Sequence, residues 1–269
     1  MTVYFDFSVF VEANNDKKFR KKIMKDANNK VYYYSPAHIE EIANILRSTT
    51  DDEKKIKYVE KNLRFLEILT NSNEALFTGE GPVKHIIESP LDTFKRVWNN
   101  YELTLVAEEM NRDVLEQRKE IKELFIKKGK LPNNLGQITE TEFVNSVYFR
   151  DCLKIYRDLI SKDPFSKDYM KFSRWEDIKN KEDLINGHIE QLLNFIERTG
   201  YYNDPESKYR NRMNDVSHII YATSCDVFVT FDIKQMMKAR AVYYYYGIPT
   251  VVAGKEFYAN KAIELKQQR

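Results

Sequence analysis

Cysteine is scarce in this 269-residue chain: there are two, Cys152 and Cys225, far apart in sequence. One falls in a helical pattern and the other beside an apolar strand, which excludes a disulfide scaffold and fits two reduced, buried thiols in a cytosolic compartment. No His and Cys stand at zinc-ligand spacing. Long hydrophobic runs are missing as well, and no stretch approaches the ~20 apolar residues of a membrane span. The apolar start is broken by Asp6 and has neither a basic lead nor a small-residue cleavage site, so no signal peptide is expected. Nor is there an excess of either charge. Lys and Arg number 43 against 41 Asp and Glu, a net charge of +2, so no global basic field announces nucleic acid and any polyanion binding has to be local. Internal repeats and low-complexity tracts are lacking. These exclusions leave a cytoplasmic chain without a membrane role, long enough to bury a sizeable core as one large domain or a domain with an insertion.

What is present is organised around Asn211 to Asp232, NRMNDVSHIIYATSCDVFVTFD. Val216, Ile219, Ile220 and Thr223 share one helical face, and the pattern then switches to a short apolar strand. Asp215 is expected at the head of that helix and Asp232 at the exit of that strand. Open α/β sheets present the carboxyl ends of their strands to the ligand crevice, so Asp232 stands where chemistry usually sits. Two further strand exits repeat the device. TVYFDFS is a strand ending in Asp6, and VYYYSPAHIEEI is a strand ending in Ser35-Pro36, a helix cap and first-turn pair. The helix that follows, Pro36 to Arg47, packs on Ile39, Ile42, Ala43 and Leu46. On a wheel of about 100° per residue both Glu40 and Glu41 fall outside that apolar arc.

This order of residues resembles the PIN-domain nucleases: Asp6-Phe-Ser8, then Ser35 to Glu41, then Asp215, then Thr230-Phe-Asp232. The resemblance implies a three-layer α/β core around a central parallel sheet. It also implies a metal-dependent endonuclease, of RNA more than DNA, that leaves a 5′-phosphate and a 3′-hydroxyl with no covalent intermediate. Asp6, Glu41, Asp215 and Asp232 are then both catalytic residues and ligands of Mg²⁺ or Mn²⁺, with Glu40 the alternative to Glu41. The chemistry agrees, because hard divalent cations take carboxylate oxygens and keep waters and phosphate oxygens, and clustered carboxylates need a countercharge. Ser8 and Thr230 are suited to orient those carboxylates. Taken singly, Asp215 reads equally well as a helix cap, and Asp6 and Asp232 as turn residues. His218, one turn beyond Asp215, reads as a ligand or as a hydrogen-bonded structural residue.

Residues 48–204 read as charged helical segments with few strand signals, an α-helical insertion in a discontinuous core of residues 1–47 and 205–269. Ile56, Val59, Leu63, Leu66 and Leu69 mark one helix, and Ser89 to Asp92 opens another. Thr139 with Glu142 forms a capping box for a helix to about Ser161, and Lys181 to Arg198 ends at Gly200. Lys208, Arg210 and Arg212 are the phosphate-gripping candidates ahead of Asp215. The basic run Lys17 to Lys25, expected on the outer face of one helix from Phe7 to about Met24, is a solvated face or a phosphate-binding one. Tyr243 to Tyr246, facing several directions on a helix, reads as core packing and surface snorkelling rather than a base-stacking platform. Three functions remain in view: an endoribonuclease serving as toxin, defence effector or processing factor; a structure-specific DNA nuclease whose Lys119 to Lys130 segment arches over a strand; and a catalytically silent scaffold. In the last, the insertion binds a protein partner or a second copy of the chain.

Overall fold

The computed structural model describes residues 1–47, 53–79, 81–98, 123, 135–161, 170–203 and 209–259. Strand β1, Thr2–Phe5, stops at Asp6, which caps helix α1, Phe7–Asn15, by accepting from the Ser8 and Val9 N–H groups. The single helix expected from Phe7 to Met24 is two. Asp16 accepts from the N–H groups of Lys18 and Phe19 and starts α2, Lys17–Asp26, as a new helix; a carboxylate that satisfies two orphan donors is a strong N-cap. Asp16→Ala is expected to lower stability by about 1 kcal/mol. The check is the denaturant midpoint at constant m value, and an unmoved midpoint would show that packing alone sets the break.

The chain continues through β2, Val31–Tyr33, α3, Pro36–Arg47, and α4, Glu53–Thr70, in which Val59, Leu63, Leu66 and Leu69 are buried as their spacing predicts. Where helical segments with few strand signals are expected, an antiparallel hairpin forms from β3, Asn73–Phe77, and β4, Val83–Ile87. Its sequence has no clean alternation, and it forms because the chain after β2 offers a template. The Ala75 N–H donates to the Tyr34 carbonyl at 2.7 Å, and the Tyr34 N–H to the Asn73 carbonyl at 3.1 Å. Helix α5, Pro90–Trp98, covers the hairpin's base. There Glu74 is fully buried, with Arg96 at 3.0 Å and Thr93 Oγ1 at 3.2 Å. Burial, and then the adjacent Glu88 carboxyl, push Glu74 up to about 8, with Arg96 opposing.

The predicted capping box is present: Thr139 and Glu142 open α6, Glu140–Asn145. Ser146 then accepts from the Phe149 N–H and begins α7, Val147–Ile160, splitting what the sequence suggests is one helix. Next come α8, Trp175–Ile178, and α9, Glu182–Thr199, which ends at Gly200 with φ 84°, a left-handed value that glycine adopts without strain. Helix α10, Tyr209–Ala222, leads into β5, Val227–Val229, and α11, Ile233–Tyr246, leads into β6, Val251–Ala253, before the short α12, Glu256–Ala259. The Ile248 N–H bonds the Tyr243 carbonyl at 2.9 Å, which closes the helix end ahead of the last strand. Part of the tyrosine run packs: Tyr243 and Tyr246 are buried, with Tyr243 Oη donating to the Ile219 carbonyl at 2.6 Å, while Tyr244 is exposed. Both cysteines are free and buried.

Four strands form one parallel sheet in the order β2-β1-β5-β6. Side chains alternate across it, so Tyr4, Phe228 and Val252 join one hydrophobic cluster while Val3, Phe5 and Val229 join the other. Helices α6, α7, α9, α10 and α11 contribute to the first; α1, α2, α3 and α4 contribute to the second. The chain is therefore mixed α/β, with helices on both faces of a parallel sheet, and residues between 48 and 204 enter both clusters. The strand order reverses between β1 and β5. At such a switch point two neighbouring strands send their connections to opposite faces and a crevice opens at their carboxyl ends. Among the described residues no helix is long and apolar enough to cross a membrane.

Candidate active site

Asp6 and the Thr230-Phe231-Asp232 turn meet at that switch point, joined by the Asp6 N–H donating to the Val229 carbonyl at 3.0 Å. Asp6 is buried. Its Oδ1 accepts from the Ser8 hydroxyl at 2.6 Å as well as from the Ser8 and Val9 N–H groups, and its Oδ2 accepts from Thr230 Oγ1 at 2.8 Å. Ser8 and Thr230 thus hold Asp6 from two sides. Burial lifts Asp6 to about 6; the charge of His218 and the two hydroxyl bonds oppose the rise, and Glu41 adds to it.

Thr230 Oγ1 also lies 2.6 Å from Gln235 Oε1 and accepts from the Asp232 N–H at 3.1 Å. A hydroxyl has one hydrogen, and the carboxylate is the stronger acceptor. Since Gln235 Nε2 is buried with no partner, the amide is best satisfied with its NH2 group turned to Thr230, which frees the hydroxyl hydrogen for Asp6.

Asp232 caps α11, its Oδ1 accepting from the Lys234 and Gln235 N–H groups at 2.8 and 3.1 Å, and it is exposed. The turn-and-cap explanation therefore holds locally for Asp6 and Asp232. It fails for Asp215. That residue lies inside α10, which begins at Tyr209, and not at its head as the periodicity suggested. Residues 209–214 continue the helix upstream, so Asp215 caps nothing. Burial pushes its carboxyl up to about 8; Lys238 and His218 oppose, while Asp6 and Asp232 press it higher. These mutual effects put Asp6, Asp215 and Asp232 in one electrostatic neighbourhood.

Glu41 joins through His218. Its Oε2 is 3.2 Å from His218 Nε2, and His218 Nδ1 is 2.8 Å from Tyr4 Oη, which in turn bonds Ser35 Oγ. Burial would depress His218, but the Glu41 bond and the charges of Glu41, Asp6 and Asp215 outweigh it and raise the imidazole above its ordinary value. As an imidazolium it donates from both nitrogens, to Glu41 and to Tyr4. His38 lies edge-on to it at 4.6 Å and is locked neutral: its Nε2 donates to the Phe5 carbonyl at 2.7 Å and its Nδ1 accepts from the Ser35 N–H. With both ring nitrogens engaged, His218 is a hydrogen-bonded residue rather than a ligand. Glu40 influences Tyr221 instead, so the two glutamates have different surroundings.

Among the described residues no three His, Cys, Asp or Glu side chains converge tightly enough to hold one ion. The donor chemistry is nonetheless that of a hard cation: carboxylates with no thiolate and no available imidazole nitrogen. The side chains of Lys208, Arg210 and Arg212 lie outside the described residues, as do the basic residues of the Lys119 to Lys130 segment. Gln235 and Lys238 carried no sequence signal, being an ordinary Gln and Lys in a helix; only their placement beside Asp6 and Asp215 marks them. Lys238 is buried and donates to Glu197 of α9 at 2.7 Å. No family model matches the chain, and no curated protein or solved structure matches it significantly.

Proposed function

We propose that this chain is a divalent-metal-dependent endonuclease with a PIN-like core, acting on RNA. In this reading residues 1–47 and 205–269 form the catalytic core and residues 48–204 pack on it. The observation that carries the reading is the meeting of Asp6 with the Thr230–Asp232 turn at the switch point, within the field of an Asp215 that has no capping duty. Asp6, Glu41, Asp215 and Asp232 would hold Mg²⁺ or Mn²⁺, which when bound supplies charge stabilisation at phosphorus and an acidified water. The chain's own part is positioning. Ser8 and Thr230 fix both oxygens of Asp6, His218 fixes Glu41 from beneath, and exposed Asp232 leaves the rim open to a polymer. The charges of Lys238 and His218 oppose the rise of the Asp215 carboxyl, so these two residues would balance the acids before a metal or substrate arrives.

A second reading keeps the fold and drops the chemistry: a PIN-like scaffold that binds a protein partner. It is favoured by the absence of a three-donor cluster among the described residues. The two are separated by incubating end-labelled single-stranded RNA, duplex RNA and DNA with the protein and Mn²⁺ or Mg²⁺, with EDTA as control. Metal-dependent cleavage of RNA that EDTA stops is the expected result. Cleavage of DNA alone makes the enzyme a DNA nuclease, and no cleavage of any substrate with either metal leaves the scaffold.

A further inference from the structure

Helix α2 is amphipathic in an unusual way. Lys17, Lys18, Lys21, Lys22 and Lys25 fall within an arc of about 140° on a helical wheel, and all five are exposed. The opposite side is packed: Ile23 is buried, and Phe19 sits edge-on to Tyr258 at 5.1 Å. Arg20 is withdrawn from the stripe, bonding the Ala13 and Asn14 carbonyls and lying 4.8 Å over the Phe65 ring.

Some exposed lysines of this chain have acidic partners one turn away, as in Lys57–Glu53 and Lys95–Asp92, and others such as Lys61 and Lys84 stand singly among the described residues. Among the described residues the five lysines of α2 have none. The acids nearest in sequence are already engaged: Asp16 in the helix cap, and Asp26 by Lys30 and the Tyr32 hydroxyl. An ordinary solvated face mixes its charges, and an unmixed basic stripe in a chain of net charge +2 is a local field.

The position of the stripe makes that field useful. Phe19 packs on the ring of Phe231 at 5.5 Å, and Phe231 stands between Thr230 and Asp232. Lys255 lies 5.2 Å from the same ring. Lys18 and Lys22 lie on the edge of the stripe nearest Phe19, so the stripe starts at the rim of the acid cluster and runs away from it.

We infer that α2 is the track for the phosphodiester backbone of a single-stranded nucleic acid whose scissile phosphate reaches the Asp6–Asp232 rim; the inference rests on the nuclease reading for its substrate. Acids at the chemistry repel a polyanion, and a basic stripe just outside them offsets that repulsion along the flanking phosphates. An anionic membrane is the weaker fit, because the apolar side of α2 is already packed and cannot enter an acyl layer.

The test uses the full chain and a fluorescein-labelled single-stranded RNA in EDTA, so that nothing is cut, across a salt series. The variant is Lys18→Gln/Lys21→Gln/Lys22→Gln/Lys25→Gln, since Gln keeps helix propensity while removing charge. It should bind at least about tenfold more weakly at low salt, with the slope of log affinity against log salt smaller by up to about 3, and the melting temperature should hold. Anionic vesicles of phosphatidylserine and phosphatidylcholine form a second arm. Unchanged RNA affinity and slope in the variant overturn the inference even if the wild type cleaves RNA. Lysine-dependent adsorption to vesicles without RNA binding overturns it too. Lysine-dependent RNA binding by a chain that cleaves nothing upholds the track and removes the nuclease reading instead.

Discussion

Asp215→Asn is expected to reduce RNA cleavage at least about 100-fold, or ~2.7 kcal/mol of barrier, while raising the melting temperature of the metal-free protein at pH 8. Both effects come from one carboxylate. In the folded chain burial, with Asp6 and Asp232 adding to it, raises Asp215 to about 8. A carboxyl whose folded value is raised favours the folded state while it is protonated. That stability is fully present below the unfolded value near 4 and is lost as the pH climbs through about 8. Asp6, at about 6, and Glu74, at about 8, have the same sign. The buried histidines His38, His85 and His188, held below their ordinary value, have the opposite sign and are already neutral by about pH 7, so the metal-free wild type should lose stability as the pH rises from about 7 to above 8.

Each pKa unit is worth ~1.36 kcal/mol, but Asp215 keeps some solvent exposure, so the gain from Asn at pH 9 should be on the order of 1–3 kcal/mol. For a chain of this size that is about 2–4 °C per kcal/mol. Glu74→Gln serves as the control. It should show the same widening stability gap with pH and leave cleavage unchanged, because Glu74 lies beneath α5 with Arg96 and Thr93. Melting curves in EDTA from pH 5 to 9, with cleavage assays alongside, read both. An Asp215→Asn protein that cuts RNA at the wild-type rate would remove Asp215 from the site, whatever its stability.

His218 should respond to substitution in a way that depends on which nitrogen is replaced. Glutamine carries its NH2 near the place of imidazole Nε2 and can still donate to Glu41; asparagine carries its NH2 near Nδ1 and can reach only Tyr4. If His218 works by holding Glu41, His218→Gln should stay within about tenfold of wild type, and His218→Asn should lose about 10–100-fold in cleavage and in Mn²⁺ affinity, the usual cost of removing an orienting partner. Both variants lose the buried ring between His38 and Tyr4, so both should lose similar stability. Mn²⁺ binding by calorimetry gives a readout independent of turnover. Equal behaviour of the two variants would mean that the Glu41 bond at 3.2 Å orients nothing of consequence.

Several features follow from the sequence by local physics. The four strands of the sheet are short apolar runs, the capping box at Thr139 and Glu142 is a local bargain between neighbours, and Gly200 and Gly247 end helices because they accept positive φ. The placement of Asp6 and Asp232 at strand exits is of this kind, since a strand's end and a helix's cap are written within a few residues. Local breaks were less legible. Asp16 and Ser146 split long amphipathic patterns, because a side chain that can cap two N–H groups competes with a period that would continue through it.

Only the tertiary structure could decide the rest. The hairpin of β3 and β4 exists because Tyr34 presents free backbone groups to Asn73 and Ala75, a pairing between segments about forty residues apart that no window of sequence contains. That the strand order reverses between β1 and β5, bringing Asp6 to Thr230 across more than two hundred residues, is likewise a property of the assembled sheet. So are the partners of His218, the burial of Gln235 and Lys238 beside the acids, and the meeting of Phe19 with Phe231 that sets the basic stripe at the rim. Periodicity tells which side of a helix is buried; it carries no information about which distant side chain is found there, because that is fixed by packing of whole elements against one another.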